Sequence, residues 1–277
     1  MAKAAIGTAH KHKNKKQTIT KTKVMKAKVL FLGLALLTGV SALAETKIVA
    51  HRGYWRAPGS AQNSLTSYKK ADQVPCYGSE IDIWMSKDGV IFVNHDKTFK
   101  GCCIEKSTAA ECNKVILDNG EKMPTFEEYL QVVKQGKAEL VIEVKTHTSL
   151  EQQNQCIDKA VKLVKKNKLQ NRVSYIAFDL AACLRIIEKA PKGTEVYYLN
   201  GDLGPKTLKR IGCAGPDYHY NVFKQAHPNW LKEFQKLGMK VNVWTVDDRA
   251  DLEFFVNQGA DYITTNEPEL LKSIINK

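Results

Sequence analysis

Glu80 and Asp82 stand two residues apart in Ser79-Glu80-Ile81-Asp82-Ile83-Trp84-Met85. On an extended chain successive side chains alternate faces, so the two carboxylates share one face and Ile81 and Ile83 share the other. Adjacent like charges repel unless a proton or a cation lies between them, and a divalent cation with oxygen ligands is the simplest remedy. Lys87-Asp88-Gly89 turns the chain, residues 90–94 run extended again, and His95 arrives near the same end of the sheet. The arrangement reads as a metal site with an imidazole beside it. Taken alone, Glu-x-Asp is more often a solvated strand face and His-Asp usually a loop pair, so the case rests on the rest of the chain.

The elements that must position these groups alternate along the sequence. Short β-type runs are expected at 47–50, around 80–82, and at 139–145, 172–179, 195–199, 217–222, 240–246 and 261–265. Helical segments separate them, at 64–72, from 125, and at 150–168, 180–190, 204–211, 228–237, 248–258 and 267–276, with Thr125 and Glu128 forming a capping box. About eight strand-then-helix units without a break predict a (β/α)8 TIM barrel. Residues 97–123 interrupt the alternation as a polar insertion after the second strand region, without clear periodicity. In such a barrel the reactive groups gather at the carboxyl ends of several strands. His51, Glu80 with Asp82, Glu143 with Lys145, Phe178 and Trp244 all fall there. Glu143 and Lys145 repeat the two-residue spacing in a strand apolar at Val141, Ile142 and Val144, so three carboxylates can converge on Ca²⁺ or Mg²⁺.

The chain has 277 residues and a formal charge of +13. Residues 1–44 hold nine lysines and no acid, an apolar run from Val29 to Val40, and Ala42-Leu43-Ala44 before Glu45. That pattern is expected to be a signal peptide. Met25 would make an ordinary start, so 1–24 reads as an upstream extension. Taking nine from the 42 basic residues leaves 33 against 29 acidic ones, so the remainder carries +4. The basic balance therefore gives no reason to expect nucleic-acid binding. The apolar run is shorter than the roughly 20 residues of a comfortable span, so no stable membrane anchor is expected after cleavage, and the protein is expected to be periplasmic or secreted. All seven cysteines lie beyond residue 44, and Cys102, Cys103 and Cys112 share one short segment where a local disulfide fits an oxidising compartment.

With these residues assembled, residues 47–277 resemble the glycerophosphodiester phosphodiesterase family. The matching stretches are His51-Arg52-Gly53; Glu80-Ile81-Asp82 with Lys87-Asp88-Gly89 and His95-Asp96; Pro124 to Glu128; Ile142-Glu143-Val144-Lys145; and Val243 to Val246 with Gly259 to Pro268. The resemblance implies hydrolysis of a glycerophosphodiester, a small-molecule substrate, to glycerol 3-phosphate and an alcohol with one divalent cation. It implies Glu80, Asp82 and Glu143 as metal ligands, His51 and His95 as the acid/base pair, and Arg52 and Lys145 as phosphate-binding cations. Trp244 is expected to wall the glycerol pocket, and Phe178 is its weaker companion. His147, His219 and His227 match no motif and read as structural. Tyr54 and Trp55 either contact substrate or pack a loop.

Two positions depart from the family's pattern. Gln62 stands where a carboxylate is common, removing an ion pair with Arg52 or a charge at the metal. Asn266 stands where Asp is common and reads as a structural change in the closing strand. Two other readings stay open: a related barrel phosphodiesterase acting on a lysophospholipid or phospholipid headgroup, and a non-catalytic phosphodiester-binding barrel. Retention of both His51 and His95 argues against the second.

Overall fold

The computed structural model describes residues 45–276; the expected signal peptide at 1–44 lies outside the described residues. The strands are β1 (Lys47–Ala50), β2 (Gly78–Met85), β3 (Ile91–Val93), β4 (Thr98–Phe99), β5 (Cys102–Cys103), β6 (Glu139–Val144), β7 (Val173–Ala177), β8 (Glu195–Tyr198), β9 (Gly215–His219), β10 (Asn242–Trp244) and β11 (Tyr262–Thr265). The helices are α1 (Leu65–Gln73), α2 (Ala109–Cys112), α3 (Phe126–Val133), α4 (Leu150–Lys166), α5 (Leu180–Lys189), α6 (Pro205–Ile211), α7 (Trp230–Lys236), α8 (Arg249–Asn257) and α9 (Pro268–Ile275).

Eight strands, β1, β2 and β6 to β11, pair in parallel in that order, and β11 returns to β1 with Lys47 opposite Tyr262 and Ala50 opposite Thr265. The sheet is closed, as the alternation of elements predicts. β2 outruns β1 at the rim, and there β3 pairs antiparallel with it, Ile83 opposite Val93. That hairpin carries the chain to His95.

Barrel strands are covered on both faces, which is why they read as nearly continuous apolar runs. Ile81, Ile83, Leu140, Ile142 and Val144 point outward into the core shared with the helices. Val49, Val141, Ile176, Tyr197, Leu199 and Tyr262 fill the interior. The same alternation turns Glu80, Asp82 and Glu143 inward.

The helix caps follow the sequence. Ser64 accepts from the amide of Ser67 to start α1, and Thr125 and Glu128 close the expected capping box on α3. Three expectations shift. β9 starts at Gly215-Pro216, two residues that weaken a strand signal; a Cβ at Gly215 would stand 1.7 Å from the Lys240 carbonyl oxygen, so close approach of neighbouring backbone dictates glycine. Residues 222–226 form a π-helical turn in place of the strand's expected end. β10 shortens to three residues.

The insertion is also less formless than its polarity suggests. Thr108 and Glu111 make a capping box on α2, and Ile104, Val115, Leu117 and Met123 bury against Trp84 and Phe92 in a cluster of their own. The expected disulfide is not formed: Cys102 and Cys112 meet as thiols with Sγ atoms 3.5 Å apart. Among the described residues no helix is long and apolar enough to cross a membrane.

Candidate functional site

The turn after β1 makes the first contact. Arg52 and Gly53 both have positive φ, 55° and 73°, and a Cβ on Gly53 would lie 2.2 Å from the Ser67 hydroxyl, so the second position needs glycine. This backbone aims the Arg52 amide at Glu80 Oε2, 2.8 Å away. The Arg52 guanidinium meets Gln62 Oε1 at 2.6 Å, a neutral partner where a carboxylate would have made an ion pair.

The carboxylates of Glu80, Asp82 and Glu143 converge, each offering an oxygen, with these atoms all within 4.8 Å of one another. All three residues are at least nine-tenths buried. Asp82 is the best supported. Asn63, itself buried with φ 59°, donates from Nδ2 to Asp82 Oδ2 at 2.9 Å and accepts the Asp82 amide at 3.2 Å. Lys145 Nζ lies 3.3 Å from Asp82 Oδ1 and 2.7 Å from Glu143 Oε1.

These partners separate the three acids electrostatically. Burial alone would raise Asp82, but Lys145, then His95, the Asn63 hydrogen bond and Arg52 outweigh it and hold its carboxyl at about 2. Glu143 is pushed up to about 8 by burial and by the charge of Asp82. Glu80 is raised by burial, Asp82 and Glu143 together, and its Oε1 has no hydrogen-bond partner among the described residues. Three inward carboxylates that cannot all ionise, one with an orphaned buried oxygen, fit a hard divalent cation bound through oxygen.

The two imidazoles differ in their supports. His51 Nδ1 lies 2.9 Å from Asn266 Oδ1, while His95 Nδ1 lies 2.7 Å from Asp96 Oδ1. Burial and then Arg52 lower His51 to about 4. Burial also lowers His95, against the pull of Asp82. Asn266 is therefore no mere change in the closing strand: its amide oxygen holds a ring that faces the site. Trp55 Nε1 donates to the same oxygen at 2.7 Å, which accounts for Trp55 as a packing residue.

His51, Arg52, Glu80, His95, Glu143 and Trp244 line one cavity of about 260 Å³ at the carboxyl end of the barrel. Asp82 and Lys145 adjoin it through the contacts above. Phe178 and Trp244 also line it and meet edge to face at 5.6 Å, and Trp244 is fixed by its Nε1 bond to the Asp217 carbonyl at 2.8 Å. His147 ties β2 to the loop after β6, accepting the Met85 amide and meeting the Lys145 carbonyl, as a structural histidine would. His227 stacks on Trp230, away from the cavity lining, and His219 packs on Trp244. Asn63, Asp217 and Thr264 escaped the sequence reading. Asn63 directly precedes a helix cap and looks like turn chemistry, while Asp217 and Thr264 become visible only once strand register is known.

Known proteins share this fold. A solved glycerophosphodiester phosphodiesterase from Parabacteroides distasonis is 44% identical, superposes with a TM-score of 0.82, and is matched over 84% of this chain and 98% of that one. A glycerophosphodiester phosphodiesterase of Caldanaerobacter subterraneus is 23% identical over 84% of this chain and 99% of its own length. A phosphodiesterase of Oleispira antarctica, solved in complex with the product sn-glycerol-3-phosphate, is 24% identical with a TM-score of 0.72, covering 84% and 98% of the two chains. Residues 51–270, which span His51 through the end of the barrel and every group lining the cavity, match the glycerophosphoryl diester phosphodiesterase family, and the chain belongs to that family.

Proposed function

We propose that the protein hydrolyses glycerophosphodiesters to glycerol 3-phosphate and an alcohol, using His51 and His95 for proton transfer and one divalent cation, Ca²⁺ or Mg²⁺. The observation that carries this reading is the meeting of the buried acidic triad, two unlike imidazoles and Arg52 at one small cavity. The P. distasonis relative, at 44% identity, supports the activity, and the O. antarctica complex supports the product.

Glu80, Asp82 and Glu143 would hold the cation, which when bound supplies positive charge to non-bridging phosphoryl oxygens. The rest of the chemistry falls to the chain. Arg52 lines the cavity and gives a planar cation for the phosphate, with Lys145 beside it. Asn266 Oδ1 can only accept, so it fixes His51 as the neutral tautomer protonated on Nδ1, leaving Nε2 to take a proton from the attacking hydroxyl or water. Burial lowers His95, but Asp82 and then Asp96 pull it toward the protonated form, which of the two rings suits this one to protonate the leaving alkoxide. The Phe178–Trp244 wall screens the reacting centre from water. We also propose that the protein works after export, on the strength of the basic and apolar run at 1–44.

The test is release of glycerol 3-phosphate from glycerophosphocholine and glycerophosphoethanolamine by protein starting at Glu45, with EDTA, Ca²⁺ or Mg²⁺, beside His51→Ala. Release that needs metal and is lost in the variant is the expected result. Folded protein that releases nothing under any metal would defeat the reading.

A further inference from the structure

The cavity floor holds a carboxyl that none of these steps uses. Asp217 lies inside β9, lines the cavity, and is 1% exposed, with no hydrogen-bond partner for its Oδ1 among the described residues. Its one polar side-chain partner among the described residues is Asn242, which lowers its pKa against burial and is shared with Thr264. Asn242 Nδ2 donates to Thr264 Oγ1 at 2.8 Å, Thr264 Oγ1 lies 3.3 Å from Asn242 Oδ1, and the Trp244 indole donates to the main-chain carbonyl of Asp217 rather than to its side chain. Ile176, Leu199, Phe178 and Trp244 line the same cavity, so Asp217 and Thr264 bring polar groups to a part of the lining that is otherwise apolar.

Burial pushes Asp217 up to about 7, so near neutrality both the acid and the carboxylate are present. A hydroxyl both donates and accepts and therefore pairs with either form, whereas an ammonium pairs only with the carboxylate. The cavity's 260 Å³ lies below the range of about 300–1,000 Å³ usual for drug-sized ligands, which suits a short arm. With the phosphate held at Arg52 and the acidic triad, one arm of a diester is left to enter toward the floor.

We propose that Asp217 hydrogen-bonds a hydroxyl of the substrate arm that enters the barrel, and so selects a polyol arm over an alkyl arm of equal length. The proposal rests on the hydrolase reading for its substrate class. A site built around a buried polar group with an oxygen left over discriminates strongly against a ligand that lacks the matching hydroxyl.

The experiment compares calorimetric binding of sn-glycerol 3-phosphate and propyl phosphate, which share three carbons and a phosphate, to protein starting at Glu45 with the divalent cation present. The natural protein should favour glycerol 3-phosphate by at least about tenfold, the scale of one or more net hydrogen bonds. Asp217→Leu should bring the two ligands to nearly equal affinity, Asp217→Ala should do the same if the leucine variant does not fold, and Asp217→Asn should retain most of the preference. No preference in the natural protein overturns the proposal, as does a preference that survives in both apolar variants. The latter would mean that water alone satisfies Asp217, for example in the cavity of about 20 Å³ beneath it. The binding preference does not depend on turnover, so failure of the hydrolase reading shows separately, as absent release of glycerol 3-phosphate.

Discussion

His51 Nδ1 sits 2.9 Å from Asn266 Oδ1, and the other end of that amide is also committed: Asn266 Nδ2 donates to Asp247 Oδ2 at 2.8 Å. Asp247 accepts the Asn266 amide and the Thr265 hydroxyl as well, so the oxygen of the side chain must face the imidazole. Asn266→Ala frees the ring without touching substrate. We expect kcat to fall roughly 10–100-fold, the usual cost of losing an outer hydrogen-bond support, with KM little changed. Steady-state kinetics on glycerophosphocholine would show it, and an equal loss in KM would argue for a binding role instead.

The two histidines should respond differently to the leaving group. A group that protonates the departing alkoxide becomes dispensable when that alkoxide is already stable, whereas a group that activates the attacking oxygen does not. His95→Ala is expected to lose about 10²–10⁴-fold on glycerophosphocholine and to recover much of this on a glycerophosphodiester of p-nitrophenol. His51→Ala should recover nothing. The reverse pattern would exchange the two roles.

Asn63 braces Asp82 through both ends of its amide, and its φ of 59° makes glycine the proper replacement, since glycine keeps the backbone and removes only the brace. Asn63→Gly should weaken metal binding roughly 10–100-fold in a calorimetric titration. Unchanged affinity would show that Asp82 is held well enough by Lys145 and Arg52.

Glu80 and Glu143 make metal-free stability depend on pH. Both are raised in the folded state, Glu143 to about 8, so between about 4.5 and 8 the folded chain binds more protons at these two groups than the unfolded one. Their contribution to stability therefore falls as pH rises through that window. Asp82 and the lowered His51 and His95 act in the opposite sense, but the contribution of Asp82 is complete above about pH 4 and that of the histidines above about pH 6.5, so the two glutamates act unopposed only above that. In EDTA the melting temperature should be lower at pH 8 than at pH 7, and the divalent cation should raise it more at pH 8 than at pH 5.5, because at pH 8 its ligands need shed few protons. A larger metal-induced rise at pH 5.5 would contradict this electrostatic account of the triad.

Gly53 carries the turn that brings the Arg52 amide to Glu80. Alanine there must adopt φ near 73° and place its Cβ 2.2 Å from the Ser67 hydroxyl and 2.7 Å from its carbonyl carbon, which is backbone and cannot swing away. Gly53→Ala should cost at least about 2 kcal/mol in urea unfolding, combining backbone strain and overpacking. Gly59→Ala, also at positive φ but with nothing within 4 Å, isolates the backbone part and should cost less.

Local patterns in the chain determined much of this protein. The two-residue spacing of Glu80 with Asp82 and of Glu143 with Lys145 is enough to place each pair on one face of a strand, because strand periodicity is a local property. The alternation of strands and helices predicted the barrel, and the barrel predicted that such pairs meet at one end. Caps at Ser64 and Thr125 were equally legible, since a cap is a contact between residues three apart. What only the tertiary structure decided are contacts across long separations. Asn266 reaches His51 over 215 positions because β11 closes the barrel against β1. Asp217 reaches the cavity floor only through the register that sets it opposite Asn242. The insertion's apolar residues find Trp84 and Phe92 without any period to announce it, because an irregular segment packs residue by residue rather than by face. Burial, and with it the separation of three like carboxyls into one strongly acidic and two weakly acidic groups, likewise comes into being only when the barrel closes around them.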